Sequence, residues 1–167
     1  MSGSPLVRWR RELLALLCAL VLGAIMTWPT VIDPTGAMIG HPGNDTWNHA
    51  WGMWWVFEGL REGRVPLHTG LLNYPDGGSL FFIDSFNALW SAPFQAVLGL
   101  PATFNLVVTL GLSWTLFCGW LLARHVLRDD SAAAVTAVVF GCSAHLLGQA
   151  YNGISEFINE ISGGIIV

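Results

Sequence analysis

The chain has no lysine and is poor in charge of either sign. Its seven basic residues are all arginine, set against eleven acids for a net charge of -4, and 11% of its 167 residues are charged. An ordinary soluble domain carries about 25%. An acidic chain without lysine offers no basic groove for phosphates, which argues against a nucleic-acid partner. Cysteine is scarce as well: Cys18, Cys118 and Cys142 stand in three separate apolar runs. They lack the close spacing that metal or redox motifs need and read as small packing residues. Internal repeats and low-complexity tracts are absent. What the chain does have is apolar surface, with 53% hydrophobic residues, and that is a membrane composition.

The order of the segments predicts an all-α integral membrane protein. It forms a single membrane domain with three transmembrane helices and a long extracytoplasmic loop carrying interfacial or re-entrant helices. Residues 1–12 hold Arg8, Arg10 and Arg11, and residues 13–32 follow without a charge, about 30 Å as helix and enough to cross a bilayer. The best signal-peptidase site, Leu22-Gly23-Ala24, puts leucine in a position that wants a small residue, so this span reads as an uncleaved anchor. Arginines stay on the cytoplasmic side, which places the N-terminus inside the cell membrane and residue 33 onward outside.

Residues 33–101 form the outer loop, whose first part is acidic. Within it His41 to Trp55 reads HPGNDTWNHAWGMWW, one acid, two histidines and four tryptophans in fifteen positions. Asn44 or Asp45 is a suitable N-cap for a helix over 46–62, which Gly63 stops. Trp47, Trp51, Trp54, Trp55 and Glu58 then share one face, and a tryptophan-rich face suits a helix lying in the headgroup layer. Tyr74-Pro75-Asp76-Gly77 predicts a tight turn with proline at its second position. Residues 86–100 are apolar but short, broken by Pro93 and closed by Pro101, and predict an interfacial or re-entrant helix pair hinged near Pro93.

The second span covers 102–123, and the arginine-bearing turn 124–130 is cytoplasmic. Ser131 caps the third span, 131–150, which returns to an outer tail, 151–167. Small residues recur every four positions: Ala15, Ala19, Gly23; Gly111, Thr115, Gly119; Ala133, Ala137, Gly141. That spacing lets helices approach closely. His145, Gln149, Asn152 and Glu156 share a polar face, predicted to turn towards the Asp45 loop.

Each candidate residue has a plain structural reading beside the chemical one. Asp45 caps a helix, or it is a carboxylate at the membrane surface acting as general base or cation ligand. His41 and His49 invite a metal with Asp45, but Pro42 and Gly43 interrupt the helix before His41, so no metal ligand is assigned. Trp47, Trp51, Trp54 and Trp55 form an aromatic belt, or stack on a sugar or lipid-linked donor. His145 and Gln149 make an inter-helix hydrogen bond or line a functional interior. Glu58, Arg61, Glu62 and Arg64 read as a solvated helix end.

Together GNDTWNHAWGMWW, EGLREGRVPLHTGLLNYPDGGSL and FNLVVTLGLSW leading to LLARHV, behind a basic N-terminus and one span, resemble the N-terminal part of bacterial multi-span membrane proteins of the GT-C glycosyltransferase type. The likeness covers roughly residues 10–160. It implies transfer of a sugar from a polyprenyl-phosphate carrier to an extracytoplasmic acceptor. Asp45 would serve as catalytic base or metal ligand and Glu156, by position, as a second acid. The tryptophans, His145 and Gln149 would serve the substrate or lipid. A divalent cation serves some members of the family and not others. Family members carry many more spans, so the resemblance implies a fragment, inactive alone, whose partners are membrane lipid, the lipid-linked donor and further helices. The alternative is a non-enzymatic membrane subunit or scaffold that binds lipid or partner helices.

Overall fold

The computed structural model describes residues 5–79 and 84–155, with side chains from Trp9 onward. It is a helical protein: α1 (Pro5–Met26), α2 (Thr46–Arg61), α3 (Ser85–Leu98), α4 (Leu100–Leu127), α5 (Asp130–Gly141) and α6 (Ala144–Asn152). A two-stranded hairpin, β1 (His68–Thr69) with β2 (Gly78–Ser79), lies between α2 and α3, with His68 opposite Ser79.

α4 is the post around which the rest is arranged. Gly99 precedes it at a φ of 79°, and Pro101 sits in its first turn, where a missing N–H costs nothing. Pro101 therefore opens this helix rather than closing the one before, and α4 outruns the expected 102–123 at both ends. Arg128, in the left-handed region at φ 57°, terminates it. Its 28 residues span about 42 Å. Among the described residues it is the one helix long and apolar enough to cross a membrane, and α5 with α6 qualifies when the pair is counted as one span bent by 40°.

The first predicted span is corrected. α1 starts at Pro5, well inside the expected tail, and ends at Met26, so residues 27–32 are turns. Pro29 explains the stop, because a proline disfavours helical backbone at the residue before it and has no N–H to give. The uncharged part of the helix, 13–26, is then about 21 Å long, short of the ~30 Å hydrocarbon layer. The third predicted helix is corrected too. Asp129, not Ser131, caps α5, its carboxylate accepting from Ala132 N at 2.7 Å. A second cap, Ser143 Oγ accepting from Leu146 N at 3.4 Å, breaks the run into α5 and α6. The segment 86–100 is neither hinged nor a pair: α3 runs through Pro93 as one helix, with Pro93 exposed. The turn of the hairpin closes on Asn73 rather than Tyr74, with Asp76 N and Gly77 N donating to Asn73 O at 2.9 and 3.2 Å. Asn73 has a φ of 50°, which asparagine tolerates better than most residues.

α1 and α5 both pack on α4, and α2 packs on α3 and α4. One core cluster gathers Phe104, Val108 and Leu112 of α4 with Met53 of α2, Ala88 of α3 and Leu146 of α6; a second gathers Trp120 and Ala123 of α4 with Ala133 and Ala137 of α5. Small residues permit both contacts. A Cβ on Gly23 would meet the Ser113 side chain and lie 3.0 Å from Thr109 O, and one on Gly141 would press into Leu116. Gly23→Val is expected to destabilise the α1–α4 contact by about 1–3 kcal/mol, measured as a lower unfolding midpoint in detergent. An unchanged midpoint would contradict the close approach.

The two ends of α4 differ in charge. At its C-terminal end Asp130 receives Arg11 NH1 and Arg124 Nε, each at 2.8 Å, while Arg124 also reaches Glu12 at 3.7 Å and lies over the Trp120 ring at 4.9 Å. This network ties α1, α4 and α5 together. At the other end Thr109 Oγ1 donates to Thr27 Oγ1 at 3.0 Å, and the acidic loop begins.

Candidate functional site

The loop from α1 to α2 is held by one buried side chain of α4. Asn105 is 3% exposed. Its Nδ2 donates to Pro34 O at 2.9 Å and Ala37 O at 2.7 Å, and its Oδ1 accepts from Ile39 N at 2.8 Å. Three of the four hydrogen bonds an asparagine side chain can make go to this loop. The chain then turns at Gly40, with a φ of 124°, and Gly40 lies against Thr46.

Thr46 is the second fixed point. It is buried, and its hydroxyl lies 3.4 Å from both His41 O and Asn152 O. Gly153, at the end of α6, packs on it so closely that a Cβ there would stand 2.6 Å from Thr46 Cα. Asn44 Nδ2 donates to Asn152 Oδ1 at 2.7 Å, and the His41 and Tyr151 rings lie 5.5 Å apart. The end of α6 thus docks on the loop that carries Asp45.

Asp45 stands at the cap position of α2 and does not cap it. Its backbone is already helical (φ -76°, ψ -1°) and its side chain makes no cap hydrogen bond; a capping residue normally holds an extended backbone to reach those N–H groups. The carboxylate is exposed and accepts from Asn48 Nδ2 at 3.3 Å. It is a surface carboxylate on a firmly held backbone. His49 does not join it, being 3% exposed with a buried Nδ1 that has no partner. His41 Nδ1 accepts from Gly43 N at 3.1 Å. Among the described residues no three histidine, cysteine or acidic side chains group as metal ligands.

The four tryptophans divide. Trp51 and Trp55 stack at 5.8 Å with 4° between their planes, Trp54 lies tilted about 6 Å from both, and Arg64 covers Trp55 at 4.5 Å. Trp55 is buried, while Trp51 and Trp54 are half-buried. These three are occupied with one another. Trp47 alone stays 58% exposed, and with His41, Thr46 and Pro101 it lines a cavity of about 230 Å3 next to the start of α2.

The polar stripe of the third span is only partly realised. Leu146 and Ala150 form the buried face of α6. His145 is exposed, Gln149 is half-buried with its Oε1 buried and unpartnered, and Asn152 makes the contact to the loop. The break at Ser143 re-sets the phase of the helix. Glu156 lies outside the described residues.

Two features had gone unread in the sequence. Asp84, in the left-handed region at φ 62°, accepts from Asn87 Nδ2 at 2.7 Å and from Ser155 Oγ, and Trp90 Nε1 donates to Asn87 Oδ1 at 2.7 Å. Asn87, Ser91 and Gln95 are all buried, an inward polar stripe along α3 whose i, i+4, i+8 spacing was available in the sequence. Compared with known proteins, the chain matches no family model, no curated protein and no solved structure.

Proposed function

We propose that the chain belongs to a membrane-embedded glycosyltransferase of the GT-C type. It would move a sugar from a polyprenyl-phosphate carrier to an acceptor outside the cytoplasm, with Asp45 as base or cation ligand. In this reading α1 together with the apolar turns 27–32 that prolong it, α4 and the bent α5–α6 pair cross the plasma membrane. The arginine-bridged end lies inside, and α2, α3 and the hairpin lie outside.

The observation that carries the reading is the Asp45 carboxylate, exposed and free of capping duty on a loop clamped by Asn105. Asn105 and Arg124 are separated on α4 by about 28 Å of helix, close to the ~30 Å hydrocarbon thickness. With the arginines at one interface, this length supports a position for the acid at the other, in line with retention of arginine on the cytoplasmic side. The cavity beside Trp47 is the natural place for a sugar ring, since an exposed indole offers a flat apolar face with a polar edge.

Membranes from cells lacking the gene should fail to move radiolabelled sugar from polyprenyl phosphate to an outer acceptor, and restoring the gene should bring transfer back. Transfer that persists in the deletion would sink the proposal. Topology has its own test. Single cysteines in place of Asp76 and Leu127, in a chain cleared of its native cysteines, should react with an impermeant maleimide from opposite faces of the membrane. Labelling of both from one face would overturn the arrangement.

A further inference from the structure

α1 and α5 lean on α4 from either side and leave a groove between them. It is half open, with a volume of about 280 Å3, and is walled by Ala15, Cys18 and Ala19 on α1 and by Ala134 and Val138 on α5, with Trp120 in its floor. At one end the Arg11–Asp130 bridge, at 2.8 Å, joins the two walls. From Arg11 the groove follows α1 as far as Leu22, about 16 Å of helix, and half of a ~30 Å hydrocarbon layer is about 15 Å. The groove therefore has the length of one leaflet, with its charged end at the headgroup level.

Size and closure decide what fits. A helix of that length with its side chains fills on the order of 1,200 Å3, several times the room available, and the ion pair across the end would block its path. A single hydrocarbon chain is narrow enough and stops below the charged layer. Charge then selects the lipid. Around the bridge stand Arg10, Arg11, Arg124 and Arg128 against Glu12, Asp129 and Asp130, a local positive excess in a chain that is acidic elsewhere. Arg10 is exposed and, with Arg11 and Leu14, lines an adjoining hollow on the outer side of α1. Basic residues just inside a membrane attract anionic headgroups.

We infer that this groove is a site for an anionic phospholipid of the inner leaflet, one acyl chain lying along Ala15, Cys18 and Ala19 and the phosphate at Arg10 and Arg11. The inference rests on the membrane placement proposed above but not on the sugar-transfer chemistry.

The test uses the purified full chain reconstituted in nanodiscs of equal parts palmitoyl-oleoyl phosphatidylglycerol and phosphatidylcholine, followed by native mass spectrometry. A retained phosphatidylglycerol adduct is expected. Ala134→Leu, which fills the groove from an exposed position, should weaken it about tenfold. Arg10→Gln should lower the preference for phosphatidylglycerol about fivefold while an adduct of either lipid persists. Equal retention of the two lipids by the unmodified chain, or an adduct indifferent to Ala134→Leu, would overturn the site. A dimer abolished by Ala134→Leu would overturn it in favour of a second copy in the groove. Release of the chain from native membranes by alkaline carbonate would instead refute the membrane placement, so the two failures are distinguishable.

Discussion

Replacing Asp45 by asparagine is expected to lower sugar transfer at least ~100-fold, the lower range for loss of a positioned general base, and to leave the unfolding midpoint of the protein where it is. The two halves of that expectation come from the same geometry. Asparagine caps a helix about as well as aspartate, so the substitution would cost little stability even at a capping position. Here the side chain makes no cap hydrogen bond, and its one neighbour is Asn48 Nδ2 at 3.3 Å on an exposed surface. Asparagine keeps the size and removes the negative charge, so any loss of transfer reports the carboxylate. The assay is transfer in membranes from cells carrying the substitution at the gene's own locus, with circular dichroism melting of the purified variant as the control. Full transfer by Asp45→Asn would end the proposed role. Chelation divides the remaining possibilities: wild-type activity lost to EDTA and restored by magnesium or manganese assigns the carboxylate to a cation, and activity indifferent to EDTA assigns it to proton transfer.

The elements legible in the sequence were those with a strong local signal. α2 was legible because its tryptophans recur at helical spacing and Gly63, at φ 69°, follows its last turn where a side chain would be strained. The small-residue spacing was legible because it describes a surface, and Gly23 and Gly141 do lie against α4. Boundaries inside apolar runs were not. Between Gly141 and Ala144 a single Ser143 cap outcompetes continuation of the helix, and hydropathy, which averages over both turns, cannot register the change of phase. Counting apolar residues passes over Pro29, and taking Pro101 as the stop of 86–100 puts it at the wrong end of a helix. Read as backbone, the first ends α1 early and the second starts α4.

For the candidate site the division is similar. Asp45 and Trp47 stand at the surface as the loop sequence suggested, whereas the other three tryptophans are spent on each other. Stacking of Trp51 on Trp55 depends on rotamers and on Arg64 arriving from beyond the helix end, and periodicity says nothing of either. The contact between α6 and the loop is legible as a meeting of elements, and Asn152 of the polar stripe makes it together with Gly153, whereas His145 of the same stripe faces outward. A lone asparagine such as Asn105 in an apolar helix announces that something polar is met there, but only the fold shows what.

Asn105→Leu is expected to be the most damaging single change to the scaffold. The side chain is buried and spends both amide hydrogens and its carbonyl on Pro34 O, Ala37 O and Ile39 N. At roughly 1 kcal/mol net for each hydrogen bond the loss comes to about 3 kcal/mol. Leucine, branched at the same carbon but larger, meets none of the three groups, so the loop must lift to rehydrate them. That loop leads through Gly40 and His41 to Asp45, and Thr46 behind it has only weak hydrogen bonds, at 3.4 Å, to hold it in register. Transfer should therefore fall with stability, unlike the Asp45→Asn case. Asn105→Asp, which keeps one acceptor for Ile39 N but turns two donors into a charge facing two carbonyls, should be no better. The measurement is the unfolding midpoint together with proteolysis of the 33–45 loop. A stable Asn105→Leu protein with the loop still protected would show that Thr46, Gly153 and the end of α6 alone suffice to hold Asp45 in place.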